Sequence, residues 1–304
     1  MEEAILNQPQ FQDADQAREY LEALRWPSGA VCPHCSSAEE HYKLEGKATR
    51  PGVYKCSDCR EQFTVTVGTL FEDSKVPLHK WLQAAYLMTS SKKSISSKQL
   101  ERMLGVSYKT AWSMSRRIRE AMTNSNGSLL GGNGGAIEVD ETYWSNTGKQ
   151  KKDARGYAHK MKIVSLVERD GEKRSFHVAN VTAATVRPIL KAQVSEKARL
   201  MTDGASIYAK VGREFAEHGI VAHSAGEYVR GGVTTNTIES SFAILKRGLY
   251  GTFHHVSKQH LQRYATEFDF CWNYRKALGY TDMQRANAAL KGIDGKRLMY
   301  RPSS

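Results

Sequence analysis

Two short cysteine spacings limit what this chain can fold into more than any other feature. CPHC and CSDC place Cys32, Cys35, Cys56 and Cys59 in the pattern C-x₂-C-x₂₀-C-x₂-C. Two residues between cysteines let both thiolates of a tight turn point at one ion, and two such turns close a tetrahedral Zn²⁺ site. Four thiolates leave no open coordination position, so the spacing predicts a structural zinc rather than a catalytic one. His34 and His41 read as bystanders to it. The fifth cysteine, Cys271, stands alone in a helical pattern, and this usage suits metal ligation in a reducing compartment better than a disulfide framework.

A single zinc-held unit does not account for 304 residues, which allow two or three units, and 40% hydrophobic residues suffice for a core. Lys and Arg number 44 against 32 Asp and Glu, a formal charge of +12 with a pI near 9.4. Such a surface attracts polyanions, and nucleic acid is the first candidate. An anionic membrane is the other, but no run approaches about eighteen apolar residues. The start, MEEAILNQPQ, has neither a basic nor an apolar leader region. The chain is therefore expected to work inside the cell without a membrane.

Residues 1–28 hold a short helix at DADQAREYLEALRWP, with Asp13 as N-cap, Gln16 in the capping-box position and Pro27 as the stop. The zinc unit is placed at 29–74. Helical periodicity fills 75–123, with Leu78, Leu82, Ala85 and Met88 or Thr89 on one stripe. The Gly-, Ser- and Asn-rich stretch 124–135 reads as a linker. A large α/β unit spans 136–276, and 277–304 is read as a tail. Inside the large unit, AIEVDETYW is a strand and KIVSLVERDGEKRSFHVANV a hairpin with a type I′ turn at Asp170-Gly171. Helices are expected at TAATVRPILKAQV, SIYAKVGREFAEHG, the segment from Asn236, and a long closing segment SKQHLQRYATEFDFCWNYRKA. Short strands fall at ARLMTD and IVAHS.

SSKQLERMLGVSYKTAWSMSRRIRE has the build of a helix-turn-helix, with Leu100, Met103 and Leu104 on the first helix, Gly105 in the turn and Ser107 as N-cap of the second. The second helix would offer Lys109, Arg116 and Arg117 to a groove or to phosphates. A second basic run, KQKKDARGYAHKMK, adds Lys149, Lys151 and Lys152 as DNA contacts, with a solvated loop as its plainer reading.

The carboxylates carry the chemistry. Asp140 ends a strand whose inward alternation is Ile137 and Val139, Asp203 ends RLMTD, and Glu239 lies early in a later helix. These are positions where an open α/β sheet presents its carboxyl edge. Three acids meeting there would hold divalent metal through hard oxygen ligands, and two ions suit in-line phosphoryl transfer. Glu138 alternates onto the face of Asp140, whereas Glu141 should point away. Asn236, one turn before Glu239, is an alternative third ligand, less suited to a hard cation because it is uncharged. Lys246 follows Glu239 by seven residues, which puts both on one helix face roughly 10 Å apart.

The order Asp140, Asp203, Glu239, with Lys246 one face along, resembles the DDE pattern of transposases and retroviral integrases on an RNase H-like fold. The phrases CPHC, PLHKWLQAAYLMTSSKKSISSKQLERMLGVSYKTAW, IEVDETYW, TNTIES and LKRGLYGTFHHVSKQHLQRYATEFDFCWNYR resemble zinc-ribbon insertion-sequence transposases of the ISXO-like, or fifteen-ninety-five, family. The resemblance covers nearly the whole chain. It implies a zinc ribbon and helix-turn-helix that recognise the element's terminal inverted repeats, and an α/β RNase H-like domain with a mixed sheet. That domain would use two Mg²⁺ or Mn²⁺ ions to cut the element's 3′ ends and join them to target DNA. Lys246 would position a DNA phosphate, the protein would act as a homodimer or larger on DNA, and it would sit in the bacterial cytoplasm, associated with the nucleoid. The rival is a DNA-binding regulator whose α/β domain is not catalytic.

Overall fold

The computed structural model describes residues 4–123, 127–146 and 157–298. They form two compact units, one of residues 4–91, 95–123 and 281–298, the other of residues 92–94 and the described part of 124–280. Lys149, Lys151 and Lys152 lie outside the described residues.

In the first unit, α1 (Ala14–Arg25) starts where the Asp13 side chain accepts from the N–H groups of Asp15 and Gln16. The Gln16 amide leans to Glu19 at 3.4 Å, so the reciprocal half of the expected capping box is not what holds this helix end. Three two-residue strands, Tyr42–Lys43, Tyr54–Lys55 and Gln62–Phe63, pair antiparallel in that order. Phe63 is buried among Tyr54, stacked at 5.6 Å, and the edges of Trp26 and His41, at 5.8 and 5.3 Å. This aromatic cluster is a core too small to hold the three short strands alone, which is why a metal tie matters here.

Helices α2 (Leu78–Ser90), α3 (Ser97–Leu104) and α4 (Tyr108–Ala121) follow. The capping box of Ser96 with Gln99 opens α3, and Gly105, in the left-handed region at φ 59°, closes it. Ser107 then caps α4 by accepting from Thr110 N–H. Leu100 and Leu104 are buried, but Met103 is 56% exposed, so it does not share their inner face.

The second unit is built on a five-stranded sheet: β1 (Ala136–Asn146), β2 (Lys160–Glu168), β3 (Lys173–Val178), β4 (Arg199–Asp203) and β5 (Glu217–Val221). Their spatial order is β3-β2-β1-β4-β5. The first three strands form an antiparallel meander, and β1-β4 and β4-β5 pair parallel. Helix α5 (Ala183–Gln193) makes the crossover from β3 to β4, burying Val186 and Leu190 against Ile137, Val139, Leu166 and Leu200. The short ribbon β6 (Val229–Arg230) and β7 (Val233–Thr234) leads into α6 (Asn236–Gly248). Together with α7 (Leu261–Asn273), α6 covers the other face over Trp144, Met161 and Ile163. The two helices approach closely at Gly248, where a Cβ would come within 2.2 Å of the Phe268 ring.

Four expectations need correction. The β2–β3 turn is not type I′, because Asp170 alone takes a left-handed φ, of 57°. Gly171 is needed for space instead, since a Cβ there would lie 2.8 Å from the Glu168 carboxylate. SIYAKVGREFAEHG is not one helix but two short turns, Ser206–Tyr208 and Val211–Glu214, after which β5 already begins. The His218 ring lies where a side chain at Gly212 would be, and Glu217 and His218 pair in the sheet. The closing helix begins at Leu261 rather than near Ser257. Finally, residues 277–304 are not simply a tail: α8 (Asp282–Lys291) opens with a capping box of Thr281 and Gln284 and packs along α2 in the first unit. There Arg285 donates to the Thr89 carbonyl at 2.8 Å, and the Tyr20 hydroxyl donates to Asn287 at 2.7 Å.

Candidate active site

The four cysteines meet as their spacing requires. Their sulfurs all lie within 4.8 Å of one another, with Cys32 and Cys59 3.7 Å apart and Cys35 and Cys56 3.6 Å apart. Tetrahedral Zn–S bonds of about 2.3 Å set sulfurs about 3.8 Å apart, so the cage fits zinc with little movement. His41 is used elsewhere: Nε2 faces the Ser37 carbonyl at 3.1 Å, and Nδ1 accepts from the Ser57 N–H. His34 is exposed.

On the second helix of the expected helix-turn-helix the structure separates the three cations. Lys109 is exposed near the start of α4. Arg116 lies 5.4 Å over the Trp112 ring. Arg117 turns inward, donating to the Leu70 carbonyl at 2.9 Å and lying 6.0 Å over Trp81. Burial holds its guanidinium below the ordinary arginine range. Arg117 therefore fastens α4 to the loop before α2 rather than facing a groove, because an arginine stem covers apolar surface well when its fork finds a carbonyl.

The acids assemble in the second unit. Register places Val139 beside Thr202 as the last pair of the parallel β1-β4 ladder, so Asp140 and Asp203 each lie one residue beyond its end. Asp140 does not close its strand as expected but sits within β1, paired with Ser165 of β2, because the antiparallel β1-β2 ladder runs on to Asn146. Glu239 arrives from the first turn of α6, which lies across that face. The Asp140 carboxyl accepts from the Glu141 N–H at 2.7 Å, and Asp203 accepts from the Ala205 N–H at 3.0 Å. Burial, then the charges of Glu141, Asp203 and Glu239, push Asp140 up to about 8. Such crowding of hard oxygen donors is the environment that a divalent cation relieves. Among the described residues the cysteine sulfurs are the only ligand set already closed within 4.8 Å; the acids share an edge without forming so tight a cage.

The neighbouring glutamates divide as alternation predicts. Glu138 is fully buried on the Asp140 face and is committed to structure: Oε1 accepts from Arg169 Nε at 2.8 Å, and Oε2 accepts from the Ile238 N–H at 2.9 Å. Arg169 also donates to the carbonyls of Gly232 and Thr234, at 2.7 and 3.0 Å. This couple pins the β6–β7 ribbon and the start of α6, and with them Glu239, to the sheet. Glu141 lies on the opposite face, where it accepts from the buried Tyr208 hydroxyl at 2.7 Å. Burial raises Glu141, and burial with the Glu141 charge raises Tyr208 well above an ordinary phenol. Although it points away, Glu141 remains close enough for its charge to act on Asp140.

Lys246 is exposed in the last turn of α6, and Asn236 is exposed at its first residue, where its N–H donates to Thr234 Oγ1 at 3.1 Å. Sequence reasoning missed Arg169, Tyr208 and His223. Each acts on an acid distant along the chain, and the one available signal was an acid one residue too many on β1, Glu138, which had to find a cationic partner if buried.

Residues 132–273 match the ISXO2-like transposase domain, and residues 12–62 match the transposase zinc-ribbon domain. An uncharacterized protein in the transposable element ISH50 of Halobacterium salinarum is 31% identical over 274 residues, which cover 85% of this chain and 90% of that protein. A chain in the crystal structure of a pre-cleavage Mos1 transpososome aligns over 88% of this chain and 97% of its own, at 12% identity and a TM-score of 0.19, too low to bear on the fold. The cysteine cage and the acidic sheet edge thus fall in segments that match the two transposase domains, and the chain belongs to the ISXO2-like family of zinc-ribbon transposases.

Proposed function

We propose that this transposase binds the terminal inverted repeats of its element, cuts each at the 3′ end, and joins the freed end to target DNA. The observation that carries this reading is the delivery of Asp140, Asp203 and Glu239 to one sheet edge by three elements distant in sequence. The strand order β3-β2-β1-β4-β5, antiparallel and then parallel, supports an RNase H-like domain. The α3–Gly105–α4 arrangement supports a helix-turn-helix.

Asp140, Asp203 and Glu239 would hold two Mg²⁺ or Mn²⁺ ions, with Asn236 as the alternative to Glu239. When bound, the ions supply an activated water and stabilise the attacking and leaving oxygens of an in-line displacement. The chain's own residues do the rest. Glu138 and Arg169 fix the third acid, Lys246 grips a phosphate beside it, and Lys109, Arg116 and the segment with Lys149, Lys151 and Lys152 hold DNA through its backbone. In the first step water attacks a phosphodiester at the element end and the 3′ oxygen leaves as a hydroxyl. In the second that 3′-hydroxyl attacks a target phosphodiester, so one bond forms as one breaks and no covalent protein intermediate is needed. Both ends would be handled by a dimer or larger assembly.

The test uses the DNA flanking the gene as substrate, with Mg²⁺ or Mn²⁺. Wild type should nick and join, whereas Asp203→Ala and Glu239→Gln should bind the ends but cut at least about 100-fold more slowly. If Glu239→Gln cuts normally while Asn236→Ala is dead, the third ligand is Asn236. Normal cutting by Asp140→Ala, Asp203→Ala and Glu239→Gln alike would end the proposal.

A further inference from the structure

The third acid does not stand alone at the sheet edge. β5 ends at Val221, paired with Asp203, and the chain then turns to bring His223 toward α6. Its Nδ1 lies 3.4 Å from Glu239 Oε1, and its Nε2 lies 3.2 Å from Thr235 Oγ1. Thr235 is buried directly before α6, and its hydroxyl donates to the same Glu239 oxygen at 3.4 Å. The Tyr228 ring covers the imidazole at 5.1 Å and 35°. Three adjacent parallel strands therefore deliver a polar group each to one edge, Asp140 from β1, Asp203 from β4 and His223 from just beyond β5.

The geometry points to His223 as the positioning residue for Glu239, orienting its carboxylate toward a divalent ion from outside the coordination sphere. This rests on the metal-dependent reading above. Glu239 needs such a partner more than the other acids: its side chain is 44% exposed and sits on a helix, whereas Asp140 and Asp203 are short side chains on paired strands, each accepting from a nearby N–H group. A glutamate has three rotatable bonds, and a carboxylate free to wander loses conformational entropy when an ion captures it. His223 restricts that freedom beforehand. Its second nitrogen at Thr235 fixes the ring, and Tyr228 keeps it from swinging out. Such outer partners are worth about 10–100-fold in metal affinity where they have been removed from other sites.

The experiment is a Mn²⁺ titration of the zinc-loaded full chain at constant pH, followed by electron paramagnetic resonance. His223→Ala should weaken Mn²⁺ binding about tenfold. His223→Asn, which keeps an N–H near the Nδ1 position, should recover most of that loss, an outcome that separates orientation from general damage. Echo-envelope spectra of wild type should lack the coupling of a directly bound nitrogen. Unchanged affinity in His223→Ala, or equal weakening in both variants, would overturn the inference. A directly bound nitrogen would overturn it in favour of ligation. Absence of Mn²⁺ binding by wild type would instead refute the metal-dependent reading on which it stands.

Discussion

Asp140 lies within a core strand with its carboxyl largely removed from water and three other carboxylates nearby, and its value of about 8 follows from both. The folded value lies above the unfolded one, so the folded, metal-free protein keeps Asp140 protonated below about pH 8 while the unfolded chain ionises it. Stability from this group is fully present below the ordinary carboxylate range and is lost as pH rises toward 8. A cation must displace the same proton. Mn²⁺ affinity of the zinc-loaded chain should therefore rise by up to about tenfold per pH unit between pH 6 and 8 and then level, and Asp140→Asn should flatten that slope. Asp140, Asp203 and Glu239 could be read in the sequence because a polar residue directly after an apolar strand run, or opening an amphipathic helix, breaks the pattern locally, even though β1 runs on past Asp140. His223 and Tyr208 could not, since nothing within a few residues of either shows that it faces Glu239 or Glu141.

At the scale of elements, the start of α6 is held by one buried carboxylate. Glu138 takes both an Arg169 nitrogen and the Ile238 N–H, satisfying a helix donor that has no intrahelical partner. Arg169→Ala would leave that charge buried and unpaired and free the ribbon carbonyls, so it should cost about 3–5 kcal/mol in urea unfolding. Glu138→Gln, which can still accept from the helix, should cost less. The meander, the crossover helix and both N-capped helices α3 and α4 were legible because alternation, periodicity and capping residues are local. The segment around Gly212 was not: its periodic Tyr208, Val211 and Phe215 are buried as a helix would bury them, yet the packing of His218 onto Gly212 and the pairing of β5 decide the backbone. Tertiary contacts overrode the local pattern there.

Across the whole molecule, the first unit is made from both ends of the described chain, with α8 packed along α2 and Asp294 paired with Arg25. Composition gave no hint of this, since 277–304 is short, basic and no more apolar than the chain around it, and its capping box was readable only once a helix was sought there. A chain ending at Tyr280 should lose hydrogen-exchange protection in α2 while β1 to β5 stay protected, because the unit lacking α8 opens and the other keeps its own core. Removal of protection from both units together would show that they fold as one. The same arrangement sets an order of manufacture. α1 and α2 are made early, yet the surface of α2 that α8 covers waits while every strand of the second unit is made, and only the emergence of α8 closes it. A ribosome that stops early releases a chain that already carries the carboxylates but still exposes apolar helix surface, the kind that chaperones and proteases find first.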